Sequence, residues 1–86
     1  MNKRWIVRLE AEERNRLEQL VRTGKAVAYK IRHAHVLLAV DGSDAGRGLP
    51  DEQVAQALGI AVRSIESLRR RFVEQGLEAA LAQAGR

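Results

Sequence analysis

The segment Asp51–Phe72, DEQVAQALGIAVRSIESLRRRF, carries four arginines and two serines within its last ten residues. If residues 62–75 form a helix, which turns by about 100° per residue, Arg63, Ser67 and Arg70 share one face. Arginine offers parallel donors to guanine O6 and N7, serine can bond a base edge or a phosphate, and glutamate can accept from cytosine N4. This spacing suits the reading of base pairs in a DNA groove.

The opposite face of the same helix is apolar, so its arginines are not equivalent. Ile65, Leu68 and Phe72 lie together on that face and predict its buried side. Arg69 lies at the border of the buried side. We expect its stem to run along the core and its guanidinium to pair with Glu66 or with a backbone carbonyl.

A short helix and a glycine turn precede this helix. Val54 and Ala55 form the inward side of the short helix, Leu58 is its expected end, and Gly59 supplies a left-handed turn. A small inner residue, a compact turn and an amphipathic second helix predict a helix-turn-helix over residues 51–75. The alternative that the pattern leaves open is an amphipathic helical hairpin whose arginine face is only solvated.

Apolar periodicity and end signals predict three further helices. They cover Glu10–Arg22, Val27–Val40 and, more weakly, Leu77–Gln83. The second of these carries a wide apolar arc, with Val27 on its main face, and is expected to be central to the core or to contribute to a dimer. The expected fold class is all-α, a helix-turn-helix bundle of about five helices.

The N-terminal residues show a different period. Trp5, Val7 and Leu9 lie on one side of an extended segment and arginines lie on the other. We expect either an ordered arm or an edge that pairs with a second copy of the chain, with Trp5 as a cap on the core. The expected organisation is an extended arm over residues 1–9 and a single helical DNA-binding domain over residues 10–86.

The composition excludes several classes of protein. The chain has 86 residues, a formal net charge of +4 and no cysteine, so disulfides, thiolate zinc sites and a cysteine nucleophile are excluded. No apolar run approaches the roughly 18 residues of a spanning helix, and no signal-peptide core is recognisable. We expect a cytoplasmic, nucleoid-associated protein that does not bind membranes.

Other polar side chains carry weaker patterns. His33 and His35 are about 200° apart around a helix and cannot share a metal ion. Asp41, Asp44 and Asp51 do not match a calcium loop and are expected to be solvated loop acids. No nucleophile–base pair is recognisable. We expect no catalytic residue, no metal, no cofactor and no small-molecule substrate.

The amino-acid sequence resembles that of one protein family over nearly its whole length. The stretches WIVRLEAEER, YKIRHAHVLLAVD and DEQVAQALGIAVRSIESLRRRFVEQGLEAAL are similar to the N-terminal DNA-binding region of mariner-like bacterial insertion-sequence transposases. In that family the region is a homeodomain-like or winged helix-turn-helix that binds terminal inverted repeats, and a separate acidic-triad domain cuts and joins DNA. The chain departs from the family where Pro50 and Ala61 replace the usual serine helix caps, and the acidic-triad domain is absent from it.

The helical pattern and the resemblance together predict a set of DNA contacts. The resemblance implies Ser64 and Arg71 as backbone contacts and matches Arg32 to a recurrent family arginine, while Lys30 and the arm extend the basic surface. The predicted base contacts are Arg63, Ser67, Arg70 and Glu66. The predicted backbone contacts are Ser64, Arg71, Arg32, Lys30, Lys3 and Arg4.

Three functions remain open at this point. The first is a DNA-recognition module of a transposase that lacks its catalytic domain. The second is a stand-alone homodimeric regulator on a palindromic operator, motivated by the apolar second helix and the pairable arm. The third is a helical adaptor whose arginine face binds an acidic protein, since residues 51–76 are nearly balanced in charge. The expected partner is double-stranded DNA, with a possible homodimer.

Overall fold

The computed structural model describes residues 5–44 and 46–82, and it contains five helices in that part of the chain. No strand forms within these residues, and none of the five helices is long and apolar enough to cross a membrane. The predicted all-α bundle with an extended N-terminal segment is confirmed, whereas the division into an arm and a domain stays a prediction. The helices are α1 (Ala11–Thr23), α2 (Ala28–Val40), α3 (Asp51–Leu58), α4 (Val62–Gln75) and α5 (Leu77–Ala82).

The core is aliphatic, and each helix contributes to it. Burying one such side chain stabilises the fold by about 1.5–3 kcal/mol. Helix α2 packs against all four other helices, so the prediction that it is central is correct. The five helices contribute these large, fully buried side chains, each at most 1% exposed: Leu17, Leu37, Val54, Ile65 and Leu81.

The buried face of α2 is rotated from the predicted one. Val36, Leu37 and Val40 are buried together with Ala34, whereas Val27 is 55% exposed. Val27 is the residue that caps the helix, and its backbone is extended, so its side chain does not continue the helical face. The apolar arc of α2 is therefore used mainly inside the chain.

Helix α5 belongs to the core. The sequence predicted a weak terminal helix, yet Leu77, Ala80 and Leu81 are all buried. The Tyr29 hydroxyl of α2 donates to the carbonyl oxygen of Ala82 over 3.2 Å. Apolar burial and a tie to α2 thus offset the low intrinsic stability of a helix this short.

The extended segment before α1 is bound to the helices along one edge. Val7 is fully buried and Leu9 is 3% exposed, as their alternation predicted. Alternate residues of an extended chain point their backbone groups to the same edge. Three such residues use this edge: Arg69 Nη1 donates to the Trp5 carbonyl (3.1 Å), Gly42 N–H to the Val7 carbonyl (2.8 Å) and Leu9 N–H to Asp41 Oδ1 (3.0 Å).

Asp41 is a buried hydrogen-bond acceptor, which corrects the prediction of a solvated loop acid. Its side chain accepts from the N–H groups of Leu9 and Ser43, from the Ser43 hydroxyl and from Arg14 Nε. Burial alone would raise the pKa of Asp41, but these four donors outweigh it and lower the pKa. Asp44, in the same loop, is exposed as predicted.

Gly46 lets the loop after α2 close on Asp41. A β-carbon at Gly46 would lie 2.5 Å from Asp41 Cγ and 2.6 Å from Asp41 Oδ2, which is closer than a β-carbon can approach non-bonded atoms. The loop therefore needs glycine for space at this position. The Asp41 carbonyl also accepts from the N–H of Gly48 at 2.9 Å, so both the side chain and the backbone of Asp41 hold the loop in place.

Asp51 and Arg69 form a buried ion pair, which corrects the prediction that Asp51 is a solvated acid. Arg69 donates to Asp51 Oδ1 from Nε at 3.0 Å and from Nη2 at 2.6 Å, and both residues are less than 9% exposed. Asp51 is thus not a solvated acid, and Glu66 is not the acid that pairs with Arg69. The predicted backbone bond does form, to the carbonyl oxygen of Trp5. One guanidinium joins α3, α4 and the N-terminal segment.

Removing Asp51 should destabilise the fold strongly. Asp51→Ala leaves the Arg69 charge buried and unpaired, so we expect the free energy of unfolding to fall by about 3 kcal/mol. The matched control is Glu52→Ala, an exposed acid in the same helical turn, which should change it by less than about 0.5 kcal/mol. Urea unfolding followed by circular dichroism measures both, and equal losses would contradict the role of the pair.

Asp41 should make stability depend on acid. Its pKa is lowered in the folded state, so its contribution is full above about pH 5 and is lost as the pH falls through the folded pKa. Asp41→Asn should cost about 2 kcal/mol at neutral pH and flatten that acid loss. Asp44→Asn is the control in the same loop. Unfolding free energies at several pH values test this, and an unchanged acid slope in Asp41→Asn would refute it.

Candidate nucleic-acid interface

The turn between α3 and α4 has the geometry of a helix-turn-helix. Gly59 adopts φ 69° and ψ 36°, a left-handed conformation that favours glycine. The N–H groups of Gly59 and Ile60 both donate to the Ala55 carbonyl, at 2.8 and 3.1 Å. Ile60 then packs against the core beneath the turn. These contacts confirm the predicted roles of the glycine and the isoleucine, while the need for a small side chain at Ala55 stays a prediction.

One side of α4 faces the core and the other faces solvent. Ile65 is fully buried and Leu68 is 3% exposed, and they anchor the helix against the bundle. The opposite side, which we call the outer face, carries all four predicted base contacts, and each of them is exposed. The outer face consists of Arg63, Glu66, Ser67 and Arg70.

Arg70 is exposed but is held from two sides. Its Nε lies 3.3 Å from both carboxylate oxygens of Glu74, one turn further along the helix. Its guanidinium carbon lies 5.5 Å from the centre of the Trp5 ring, a cation–π distance. The ring of Trp5, which was predicted to cap the core, thus also contacts Arg70 on the outer face of α4. The sequence signal at this residue was its alternation with Val7 and Leu9.

Glu66 is available to bind a partner. Arg69 pairs with Asp51 and Arg70 with Glu74, so neither of its neighbouring arginines uses Glu66. In the part of the chain that the structure describes, Glu66 makes no ion pair. Its carboxylate could accept a hydrogen bond from cytosine N4, as the sequence predicted.

Four of the predicted backbone contacts lie on α2 and α4. Ser64 on α4 and Arg32 on α2 are exposed, while Arg71 and Lys30 are half-buried. The two remaining predicted contacts, Lys3 and Arg4, lie outside the described residues.

The charges of Arg32 and Arg71 both act on His33. Its pKa is lowered chiefly by burial, its hydrogen bond to the Ala80 carbonyl opposes this, and the charges of Arg71 and Arg32 lower the pKa further. Both guanidinium groups therefore lie within electrostatic range of one imidazole. These two arginines come from α2 and α4, and both remain predicted contacts to the DNA backbone.

No metal site accompanies this surface among residues 5–44 and 46–82. His35 is exposed and His33 is half-buried against α5, so the two histidines point in different directions. No group of three metal-binding side chains lies together in that part of the chain.

A family model described as a homeodomain-like domain matches residues 29–81, more than half of the chain. The chain belongs to the homeodomain-like family. Comparisons with curated proteins and with solved structures gave no significant match. The matched region runs from the first turn of α2 into α5 and includes the whole helix-turn-helix. Membership in this family supports DNA binding, because such domains place the second helix of the unit in the major groove.

The homeodomain-like arrangement adds two candidate contacts that the sequence did not single out. In a helix-turn-helix the first helix crosses the DNA backbone. Here that helix is α3, and its exposed Gln53 and Gln56 line an open groove with Ile60 and Val62. Side-chain amides donate readily to phosphate oxygens. An exposed glutamine pair on the first helix was the available signal.

The first turn of α4 begins without a side-chain cap. Ala61 is the N-cap, with φ −77° and ψ 146°, and it has no side-chain oxygen to bond the free N–H groups. In a homeodomain-like domain these N–H groups lie near the DNA, and the N-terminus of a helix attracts phosphate. The missing cap leaves them available.

Restoring a cap should stabilise the helix. Ala61 already has the extended backbone that a capping serine adopts, so Ala61→Ser should raise the free energy of unfolding by about 1 kcal/mol. The control is Ala57→Ser, an exposed position inside α3, where serine should be slightly destabilising. Thermal and urea unfolding measure both, and a cap without effect would mean that another group already satisfies these donors.

Proposed function

We propose that this chain binds double-stranded DNA in a sequence-specific manner, with the outer face of α4 in the major groove. The observation that carries the proposal is the combination of a firmly anchored inner side and an exposed, polar outer side on one helix. The inner side is held by Ile65, Leu68 and the buried ion pair of Arg69. The outer side presents only groups that can form hydrogen bonds with base edges.

The charge distribution supports the same orientation. The formal net charge of +4 is modest, and Arg69 and Arg70 are each paired with an acid. Attraction to phosphates therefore rests on other groups. These are Arg63, Ser64 and Arg71 on α4, Lys30 and Arg32 on α2, and the predicted arm contacts Lys3 and Arg4.

At a finer level, we propose that the chain is the terminal-repeat recognition module of a transposase. The resemblance to mariner-like transposases supports this, and the homeodomain-like match is consistent with it. The residues quoted for the resemblance include α4, where Arg63, Ser67 and Arg70 would read bases. The proposed role needs no catalysis by this chain and no cofactor.

A homodimeric regulator is the alternative function. Ile6 and Val73 are exposed at 53% and 47%, and the edge of the N-terminal segment that carries Ile6 and Arg8 is turned away from the bonds to the helices. A second copy could pair there. Against this alternative, the edge formed by Trp5, Val7 and Leu9 and most of the α2 apolar arc are already used within the chain.

Selection from randomised duplexes at physiological salt tests the proposal. The chain should enrich a short motif, and Arg63→Ala should weaken binding to it by about 1–3 kcal/mol and relax the preference at one position. Arg22→Ala, which removes an exposed charge from α1, is the control. It should leave every base preference unchanged, whatever it does to overall affinity.

The form of the recovered motif separates the alternatives. A single asymmetric site favours a transposase module, and an inverted repeat with half-sites about one helical turn apart favours a dimeric regulator. An unenriched pool would contradict base reading. If duplex affinity were then also insensitive to salt, phosphate binding would fail too and the adaptor function would gain support, because DNA binding by cationic groups weakens steeply with salt.

A further inference from the structure

The starting observation is how Arg70 is held. Its guanidinium carbon lies over the Trp5 ring, 5.5 Å from the ring centre, and Glu74 binds only its Nε. Among the described residues no hydrogen-bond partner occupies Nη1 or Nη2. The side chain is 61% exposed, so the group is braced at its base and open at its tip.

Contacts with the core fix the backbone of the segment that carries Trp5. The carbonyl oxygen of Trp5 accepts from Arg69 Nη1 at 3.1 Å, and Arg69 is fixed by its buried bonds to Asp51. Val7, two residues on, is fully buried. The ring position is therefore set relative to α4 by the same arginine that anchors α4.

We propose that Trp5 is a positioning residue that sets the base preference of Arg70. The inference rests on the proposed function, since it concerns the same outer face. The indole and Glu74 hold the guanidinium plane in one orientation, with Nη1 and Nη2 pointing outward. Guanine O6 and N7 together accept hydrogen bonds from two parallel N–H donors. The preferred base is accordingly a guanine opposite Arg70.

The physical reason is preorganisation. A free arginine side chain loses much rotamer freedom when it binds, and a side chain that is already oriented loses less. The planar fork benefits most, because its two bonds need a defined angle. Without the indole, Arg70 would still attract DNA by charge, but it would distinguish guanine from other bases less well.

The contact can be tested without DNA, because Trp5 is the only tryptophan in the chain. Arg70→Ala should shift the indole fluorescence and raise its quenching by acrylamide. The control Arg63→Ala, which removes an exposed arginine from the same helix, should leave both unchanged. Equal spectra for wild type and Arg70→Ala would overturn the proposal whether or not the chain binds DNA.

The base preference is tested by repeating the duplex selection with Trp5 variants. In Trp5→Leu, the preference for guanine over other bases should fall roughly fivefold at one position of the motif, the scale of one exposed cation–π contact. The base preferences at the other positions should not change. Trp5→Phe should restore much of the preference for guanine. Ile6→Ala, which removes an exposed neighbour, is the control.

The outcomes separate the two levels of the argument. If the wild-type chain enriches no motif, the proposed function fails and this inference fails with it. If it enriches a motif that Trp5→Leu weakens equally at every position, or not at all, DNA reading stands and the role of Trp5 is refuted. Thermal unfolding of each variant identifies a general loss of folded protein, and Trp5→Phe then decides the result.

Discussion

The buried pair of Asp51 and Arg69 fixes the orientation on which the outer face depends. Taking two charges out of water is costly, and only good geometry offsets that cost. Arg69 lies at the border of the α4 core face, so its two bonds to one carboxylate oxygen resist rotation of α4 about its axis. Apolar contacts alone are not directional and would permit more rotation. The pair therefore adds a directional constraint to the orientation that the apolar face of α4 sets.

The four arginines of α4 show that net charge describes this surface poorly. Arg69 is buried and paired with an acid inside the fold. Arg70 contacts an aromatic ring and an acid at the surface. Arg71 is half-buried, and its charge acts on His33. Arg63 alone stands exposed without a partner among the described residues. Identical side chains thus serve stability, orientation and attraction, because each has a different neighbour.

Local features of the fold were predictable and distant ones were not. Helix ends agree to within a residue or so because caps, glycines and apolar spacing act locally, and the outward side of α4 followed from its own wheel. The partner of Arg69 lies 18 residues away, and Asp41 is buried by a segment 32 residues away. The place of the Trp5 ring likewise depends on the packing of a different element. No periodicity within one segment contains that information.

Only one edge of the N-terminal segment is bound to the helices, so successive residues of this segment alternate between bound and unbound positions. Trp5, Val7 and Leu9 are tied through backbone atoms or buried side chains, and Ile6 and Arg8 face the other way. Because the period is two, insertion or loss of one residue here would exchange the two sets. The indole would then leave Arg70 while an arginine turned toward the core. Substitutions along this stretch preserve the alignment, whereas a change in its length by one does not.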